Sequence, residues 1–161
     1  MSACFDKAKP FEPANGDFSR REPPSSSKPT VLIVEDHDDT REMLCTLLSM
    51  WGCRVVEACN GLEAVEAASR EQPALILMDG SLPLLDGLGA TRLIREQGLG
   101  NQLKILALNG WGPIYRNAAL AAGCDDCIQK PFDIGQLRSY VSSLFAFPLY
   151  APEQTANCLA R

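Results

Sequence analysis

Four apolar runs in this 161-residue chain each end on a residue that can do chemistry. Val31-Leu32-Ile33-Val34 leads into Glu35-Asp36, and Leu75-Ile76-Leu77-Met78 into Asp79. Ile105-Leu106-Ala107-Leu108 leads into Asn109, and the weaker Cys127-Ile128-Gln129 into Lys130. Three carboxylates brought within a few ångströms repel one another, and a repelled carboxylate holds its proton more tightly unless a cation offsets the charge. A hard divalent ion with oxygen ligands, Mg²⁺ above all, suits such a cluster, because it takes few protein ligands and keeps several waters. Lys130 adds a point charge suited to a phosphoryl oxygen. A carboxylate, a Mg²⁺ site and a lysine are the parts needed to move a phosphoryl group onto Asp79 itself. The aspartate is then the nucleophile, and metal and lysine stabilise charge on the transferred group. Taken alone, Asp79 could equally cap the loop Gly80-Ser81-Leu82-Pro83 that follows it. Its company at the other run ends favours the chemistry.

Those residues meet only if the runs are strands of one sheet. Unbroken apolar runs of this length fit strands buried on both faces, as in a parallel sheet under helices. Strands are predicted at 30–34, 53–57 (an alternating edge strand), 74–78, 104–108 and 124–129. Asp38 or Asp39 can cap a first helix that carries Met43, Leu44, Leu47, Leu48 and Trp51 on one face and closes at Gly52. Asn60-Gly61 opens a second helix with Leu62, Val65 and Ala68 inward, ending near Gln72-Pro73. A third spans 88–97 and breaks at Gly98 and Gly100. A fourth spans 113–122 and stops at Gly123. The last, 133–145, carries Leu137, Tyr140, Val141 and Leu144. A β-α alternation repeated five times gives an α/β, doubly wound, open parallel sheet with helices on both faces. Ligands of such sheets bind outside the carboxyl ends of the strands, where Glu35, Asp36, Asp79, Asn109 and Lys130 fall.

Length and composition fit one ordinary globular domain with tails. Residues 1–29 hold five of the eleven prolines together with Ser25-Ser26-Ser27, and read as a disordered tail; 148–161 reads as a second tail. Phe5, Phe11 and Phe18 are scattered along the first. A net charge of −5 argues against nucleic acid as a partner, which calls for a basic footprint. No apolar stretch approaches bilayer length, and the N-terminus lacks a secretory layout, so the expected location is cytoplasmic. The seven cysteines, an odd number, favour free thiols in a reducing compartment. Cys124 and Cys127 form a single C-x-x-C with no second ligand pair, which reads as small buried apolar residues beside a redox or metal alternative.

The stretches VLIVEDHDDTREML, NGLEAVEAA, LILMDGSLPLLDGLGATRLIR, KILALNG and AAGCDDCIQKPFD together resemble the receiver domain of two-component response regulators, over about residues 30–147. The resemblance implies a flavodoxin-like sheet in the order 2-1-3-4-5. It implies Asp79 as phosphoacceptor, Asp36 as direct Mg²⁺ ligand, Glu35 as its acidic neighbour acting through water, and the Ser81 backbone carbonyl as the third protein ligand beside Asp79. It implies Lys130 as the lysine that contacts the phosphoryl group and Pro131 as the proline after it in a cis bond. The domain so implied is no turnover enzyme. It catalyses only its own aspartyl phosphorylation and dephosphorylation, takes its phosphoryl group from a histidine kinase or histidine phosphotransfer protein, and signals by contact with a downstream protein.

Two positions depart from the pattern. Asn109 stands where the family usually has Thr or Ser, and Cys127 where it has an aromatic ring. Asn109 can still donate to a phosphoryl oxygen, but Cys127 supplies no ring to move in and out. A local response at Asp79, Asn109 and Lys130 is therefore expected, with little rearrangement at Tyr115 or along the last helix. Trp111, Tyr115, Tyr140, Phe145 and Phe147 are candidate contact residues, with core packing favoured for Tyr140; a homodimer through that face is open. His37, the only histidine, reads as a solvated bystander. Two rival functions stand beside the receiver reading: a pseudo-receiver that binds without switching, and a thiol sensor using Cys124 and Cys127, which requires an exposed thiolate.

Overall fold

Five strands and five helices alternate along residues 28–99, 102–110 and 112–145, the residues described in a computed structural model. In chain order they are β1 (Thr30–Val34), α1 (Asp38–Met50), β2 (Arg54–Ala58), α2 (Gly61–Glu71), β3 (Leu75–Asp79), α3 (Gly87–Glu96), β4 (Lys104–Asn109), α4 (Gly112–Ala122), β5 (Asp126–Gln129) and α5 (Ile134–Leu144). Every strand pair is parallel and the order is β2-β1-β3-β4-β5, the doubly wound arrangement expected.

Alternation along the strands decides which helices each side chain meets. Val31, Ile33, Leu75, Leu77, Leu106 and Leu108 pack with Leu44 and Leu48 of α1 and Leu137 and Val141 of α5. Their neighbours Leu32, Val34, Ile76, Met78, Ile105 and Ala107 pack with Ala64 and Ala68 of α2, Ala90 and Ile94 of α3, and Ala119 of α4. Both sets are buried, which is why the central strands read as unbroken apolar runs. Each fully buried Leu or Ile contributes about 1.5–3 kcal/mol, so the two cores hold the strand ends, and the residues on them, in fixed register.

Helix starts follow capping chemistry at three places: the side chains of Asn60, Asp86 and Asp133 accept from the amides of Glu63, Gly89 and Gln136. The first helix departs from expectation. His37 is its N-cap residue and makes no side-chain cap bond, while Asp38 and Asp39 lie in the first turn, where they favour the positive end of the helix dipole. Two other expectations are corrected. Met43 is 41% exposed and Leu62 54% exposed. The inward stripe of α1 passes through Leu44 and Leu48, one residue beyond Met43, and that of α2 through Gly61, Ala64, Ala67 and Ala68.

Strand limits shift slightly. β2 runs one residue later than 53–57, β3 takes in Asp79 and β4 takes in Asn109. The fifth strand begins at Asp126 rather than 124, because the Cys124 amide closes α4 by donating to the Ala119 carbonyl. Except for Lys28 and Pro29, the tails read at 1–29 and 148–161 lie outside the described residues, as do Gly100, Trp111 and Phe147.

Candidate functional site

The carboxyl ends of β1, β3 and β5 converge on one ammonium group. Lys130 Nζ donates to Glu35 Oε2 at 2.7 Å and to Asp79 Oδ1 at 3.0 Å, joining residues 95 and 51 positions apart in the chain. Glu35 is buried at the end of β1 and Asp79 at the end of β3. Burial pushes the Asp79 carboxyl above its ordinary range, against the opposing pull of Lys130. Burial also works to lower the Lys130 pKa, but the bonds to Glu35 and Asp79 outweigh it and the ammonium is held more firmly charged than usual. Asp79 Oδ1 accepts a second bond from the Gly80 amide at 2.9 Å. The Lys130–Pro131 peptide is cis, as the resemblance implies.

Asp36 and Ser81 line one groove of about 510 Å³ together with Gly80, Leu82, Asp86 and Tyr115. Asp36 brings a third carboxylate beside the Glu35–Lys130–Asp79 bridge, in which one lysine serves two carboxylates, and all three offer hard oxygen donors. That leaves room in charge and in chemistry for one divalent cation of the Mg²⁺ type. Asn109, buried at the end of β4, shares a second hollow of about 270 Å³ with Cys127, Arg116, Gln129 and Gln136. Its backbone oxygen accepts from the Lys130 amide at 2.6 Å, so Asn109 adjoins the site through Lys130, and Cys127 adjoins Asn109 across the hollow.

His37 is solvated but not a bystander. Its side chain is 79% exposed, yet Nδ1 lies 3.1 Å from Asp36 Oδ1. The hydrogen bond to Asp36, then the charges of Asp36 and Glu35, raise its pKa. Among the described residues, Glu35, Asp36 and His37 bring their ligand atoms within 4.8 Å of one another. A ring nitrogen is a poorer partner than oxygen for Mg²⁺, so the carboxylates remain the fitting donors.

Residue reading from sequence missed Arg41. Its Nη1 donates to the Glu35 carbonyl at 2.9 Å, while Nε pairs with Glu57 at 3.1 Å and Nη2 with Asp38. One guanidinium thus ties the loop that carries Glu35 and Asp36 to α1 and β2. The signal available was the Asp38–Arg41 spacing at the start of a helix. Thr91 was also missed; it is buried on α3 and donates to the Gly87 carbonyl at 2.7 Å. Gly87 admits no side chain, because a Cβ there would collide with the Asp79 carbonyl oxygen. α3 therefore starts directly against the end of β3.

Tyr115 is half-buried, lies against Gly80 next to Asp79, and lines the same groove as Asp36 and Ser81. Tyr140 and Phe145 pack against the α1/α5 core, in keeping with the packing reading for Tyr140. The surroundings of Cys124 and Cys127 run against the thiol-sensor reading. Cys124 is buried and Cys127 half-buried, and burial raises both thiol pKa values above the ordinary range, which is the reverse of a reactive thiolate.

The sequence profile of the response regulator receiver domain matches residues 31–142. A hybrid signal transduction histidine kinase of Dictyostelium discoideum is 36% identical over 126 residues, 73% of this chain and 4% of that protein. The response regulator MprA of Mycobacterium leprae is 36% identical over 115 residues, 71% of this chain and 50% of that protein. The chain spans about half, or less, of the curated relatives it matches. Among solved structures, the receiver domain of a Pseudomonas aeruginosa sensor histidine kinase, with a magnesium ion coordinated in its active site cleft, is 34% identical. Its TM-score is 0.68, with coverage of 73% of this chain and 98% of that one. The receiver domain of a Saccharomyces cerevisiae response regulator, in complex with a histidine phosphotransfer signaling protein, is 27% identical with a TM-score of 0.69, covering 78% and 94%. Profile, relatives and sheet order agree, and the chain belongs to the response regulator receiver domain family of two-component signalling.

Proposed function

We propose that Asp79 accepts a phosphoryl group from a phosphohistidine on a partner kinase or phosphotransfer protein. The observation that carries this reading is the bridge from Lys130 to both Glu35 and Asp79, which fixes a nucleophilic carboxylate beside a permanent cation. A carboxylate oxygen of Asp79 attacks phosphorus. The O–P bond forms, the N–P bond of the donor breaks, and its electron pair returns to the ring nitrogen. Lys130, already in contact with Asp79, is within reach of the arriving phosphoryl oxygens and stabilises their charge. Glu35, Asp36, Asp79 and the Ser81 carbonyl are the groups that hold Mg²⁺ in this reading; bound there, the ion neutralises charge on the phosphoryl oxygens. Arg41 keeps the Glu35–Asp36 backbone in place through the Glu35 carbonyl.

The domain signals rather than turning over substrate, and its own aspartyl phosphorylation and dephosphorylation is the only reaction assigned. The likeness to a receiver crystallised with a phosphotransfer protein supports the choice of donor, and a downstream protein is the intended reader. No helix among the described residues is long and apolar enough to cross a membrane, and a cytoplasmic site of action goes with this reading.

Intact-mass spectrometry after incubation with acetyl phosphate and Mg²⁺ tests the acceptor. Wild type gains one phosphoryl group and Asp79→Ala gains none. Equal labelling of the two proteins would move the acceptor elsewhere.

A further inference from the structure

Position 80 is glycine, position 115 is tyrosine, and the two residues touch. A Cβ built on Gly80 would stand 2.5 Å from the Tyr115 hydroxyl oxygen and 2.7 Å from Cζ, so no larger residue fits beneath the ring without displacing it. The Gly80 amide donates to Asp79 Oδ1 at 2.9 Å and also lies 3.1 Å from the Leu108 carbonyl oxygen. Asp79 Oδ1 is the oxygen bound to Lys130. Three contacts in series therefore lead from the first half of α4 to the site: ring on Cα, amide on carboxylate, carboxylate on ammonium. Burial raises the Tyr115 pKa, so the phenol stays a neutral group packed against apolar neighbours.

We propose that Tyr115 is a positioning residue for Asp79. Its ring holds the Gly80 backbone so that the amide points at the carboxylate, and α4 senses a change at Asp79 through the same ring. The proposal rests on Asp79 as phosphoacceptor. When Oδ1 or its neighbour becomes an acyl phosphate oxygen, it accepts from the Gly80 amide less strongly, and that amide rebalances between Asp79 and Leu108. In a close-packed contact a small movement of Gly80 cannot be absorbed, so the ring moves with it. Coupling of this kind is reciprocal in free energy: whatever displaces Tyr115 also changes the environment of Asp79. This reverses the expectation drawn from Asn109 and Cys127, that Tyr115 stays still. The ring missing at position 127 has a counterpart on α4, packed against the same core layer as Cys127.

The test uses the isotope-labelled full chain, with backbone amide shifts recorded before and after addition of Mg²⁺ and beryllofluoride, a stable phosphoryl mimic. In wild type the shifts spread from Gly80 and Lys130 into Gly112–Ala122. In Tyr115→Ala the α4 shifts fall to about a third or less, those at Gly80 and Lys130 persist, and the lifetime of the acyl phosphate changes by about threefold or more. Tyr115→Phe, which keeps the ring, restores the α4 shifts. Gly80→Ala displaces the ring from beneath and reproduces the loss in a protein that retains Tyr115. It also lowers the melting temperature less in a Tyr115→Ala background than alone. Undiminished α4 shifts in Tyr115→Ala and Gly80→Ala, with Asp79 labelled by acetyl phosphate, would overturn the coupling and leave the acceptor reading standing. Absence of label in wild type would instead overturn the acceptor reading, and this proposal with it.

Discussion

At the scale of single residues, the site is a problem in burying charge. Glu35 and Asp79 are both enclosed, and one lysine serves both. Removing one partner from a buried ion pair costs about 3–5 kcal/mol, because a charge is left uncompensated. Lys130 is therefore tied to the fold as well as to the chemistry. Leu84 presents a different kind of cost. Its φ of 66° lies in the left-handed region, and its side chain is 79% exposed, so it pays for no packing. A non-glycine residue there costs about 1–2 kcal/mol, part of which glycine gives back through its freer unfolded chain. Leu84→Gly is expected to stabilise the protein by about 0.5–1 kcal/mol, which is about 2–6 °C in melting temperature. Calorimetry checks this, and an unchanged or lowered melting temperature would show that Leu84 makes a contact worth the strain. Glu35, Asp36, Asp79 and Lys130 were legible in the sequence because each follows an apolar run that fixes where it emerges. Arg41 and the Tyr115–Gly80 contact were not, because they depend on the azimuth of a helix over the sheet, which local sequence does not set.

At the scale of elements, the end of the sheet away from the site is joined by Arg95 and Asp125. Arg95 of α3 donates to the carbonyls of Gly123 and Leu103 at 2.8 and 2.9 Å and pairs with Asp125 at 2.7 Å. Asp125 also accepts from the Ile105 amide at 2.8 Å and from Lys104 Nζ at 3.0 Å. Burial alone raises the Asp125 carboxyl, but the Ile105 amide, Lys104 and Arg95 outweigh it and the pKa is lowered. A carboxylate depressed in the folded state stabilises above its unfolded pKa, about 3.9, and loses that contribution as pH falls through the folded value. Asp125→Asn should therefore be less stable than wild type at neutral pH by about 1–3 kcal/mol. The gap should narrow as pH drops below about 4, as measured by urea denaturation across pH; a gap that stays constant would remove the charge from the account. None of this network was legible, since it depends on how α3 lies over the starts of β4 and β5, which no apolar run marks. The strands were legible to within a residue or two because both faces of the sheet are covered. The inward face of α2 was misread at Leu62 because that face is built of alanines, which give little contrast in apolar pattern.

At the scale of the whole molecule, the two cores lie on opposite sides of one sheet and share only its strands. α5 and α1 cover one side, α2, α3 and α4 the other, so a change at the strand ends can reach either layer. The α4 layer receives it through Tyr115. The α1/α5 layer meets the strands through the packing of Leu137 and Val141.

The placement of Lys130 has one more consequence. Glu35 and Asp79 end the inner strands β1 and β3, but their shared cation follows β5, a four-residue strand at the sheet margin, of which only Ile128 is buried. Marginal elements open in partial, sub-global excursions that leave the rest of a domain closed. Opening confined to β5 would withdraw the ammonium from Asp79 while the other strands remain paired. Hydrogen exchange should show the amides of Asp126–Lys130 exchanging before those of β1 and β3, and phosphoryl uptake should fade on warming at temperatures where the far-ultraviolet signal is still native. Capacity to receive the phosphoryl group is in that sense a live reading of how often one edge of the sheet is shut.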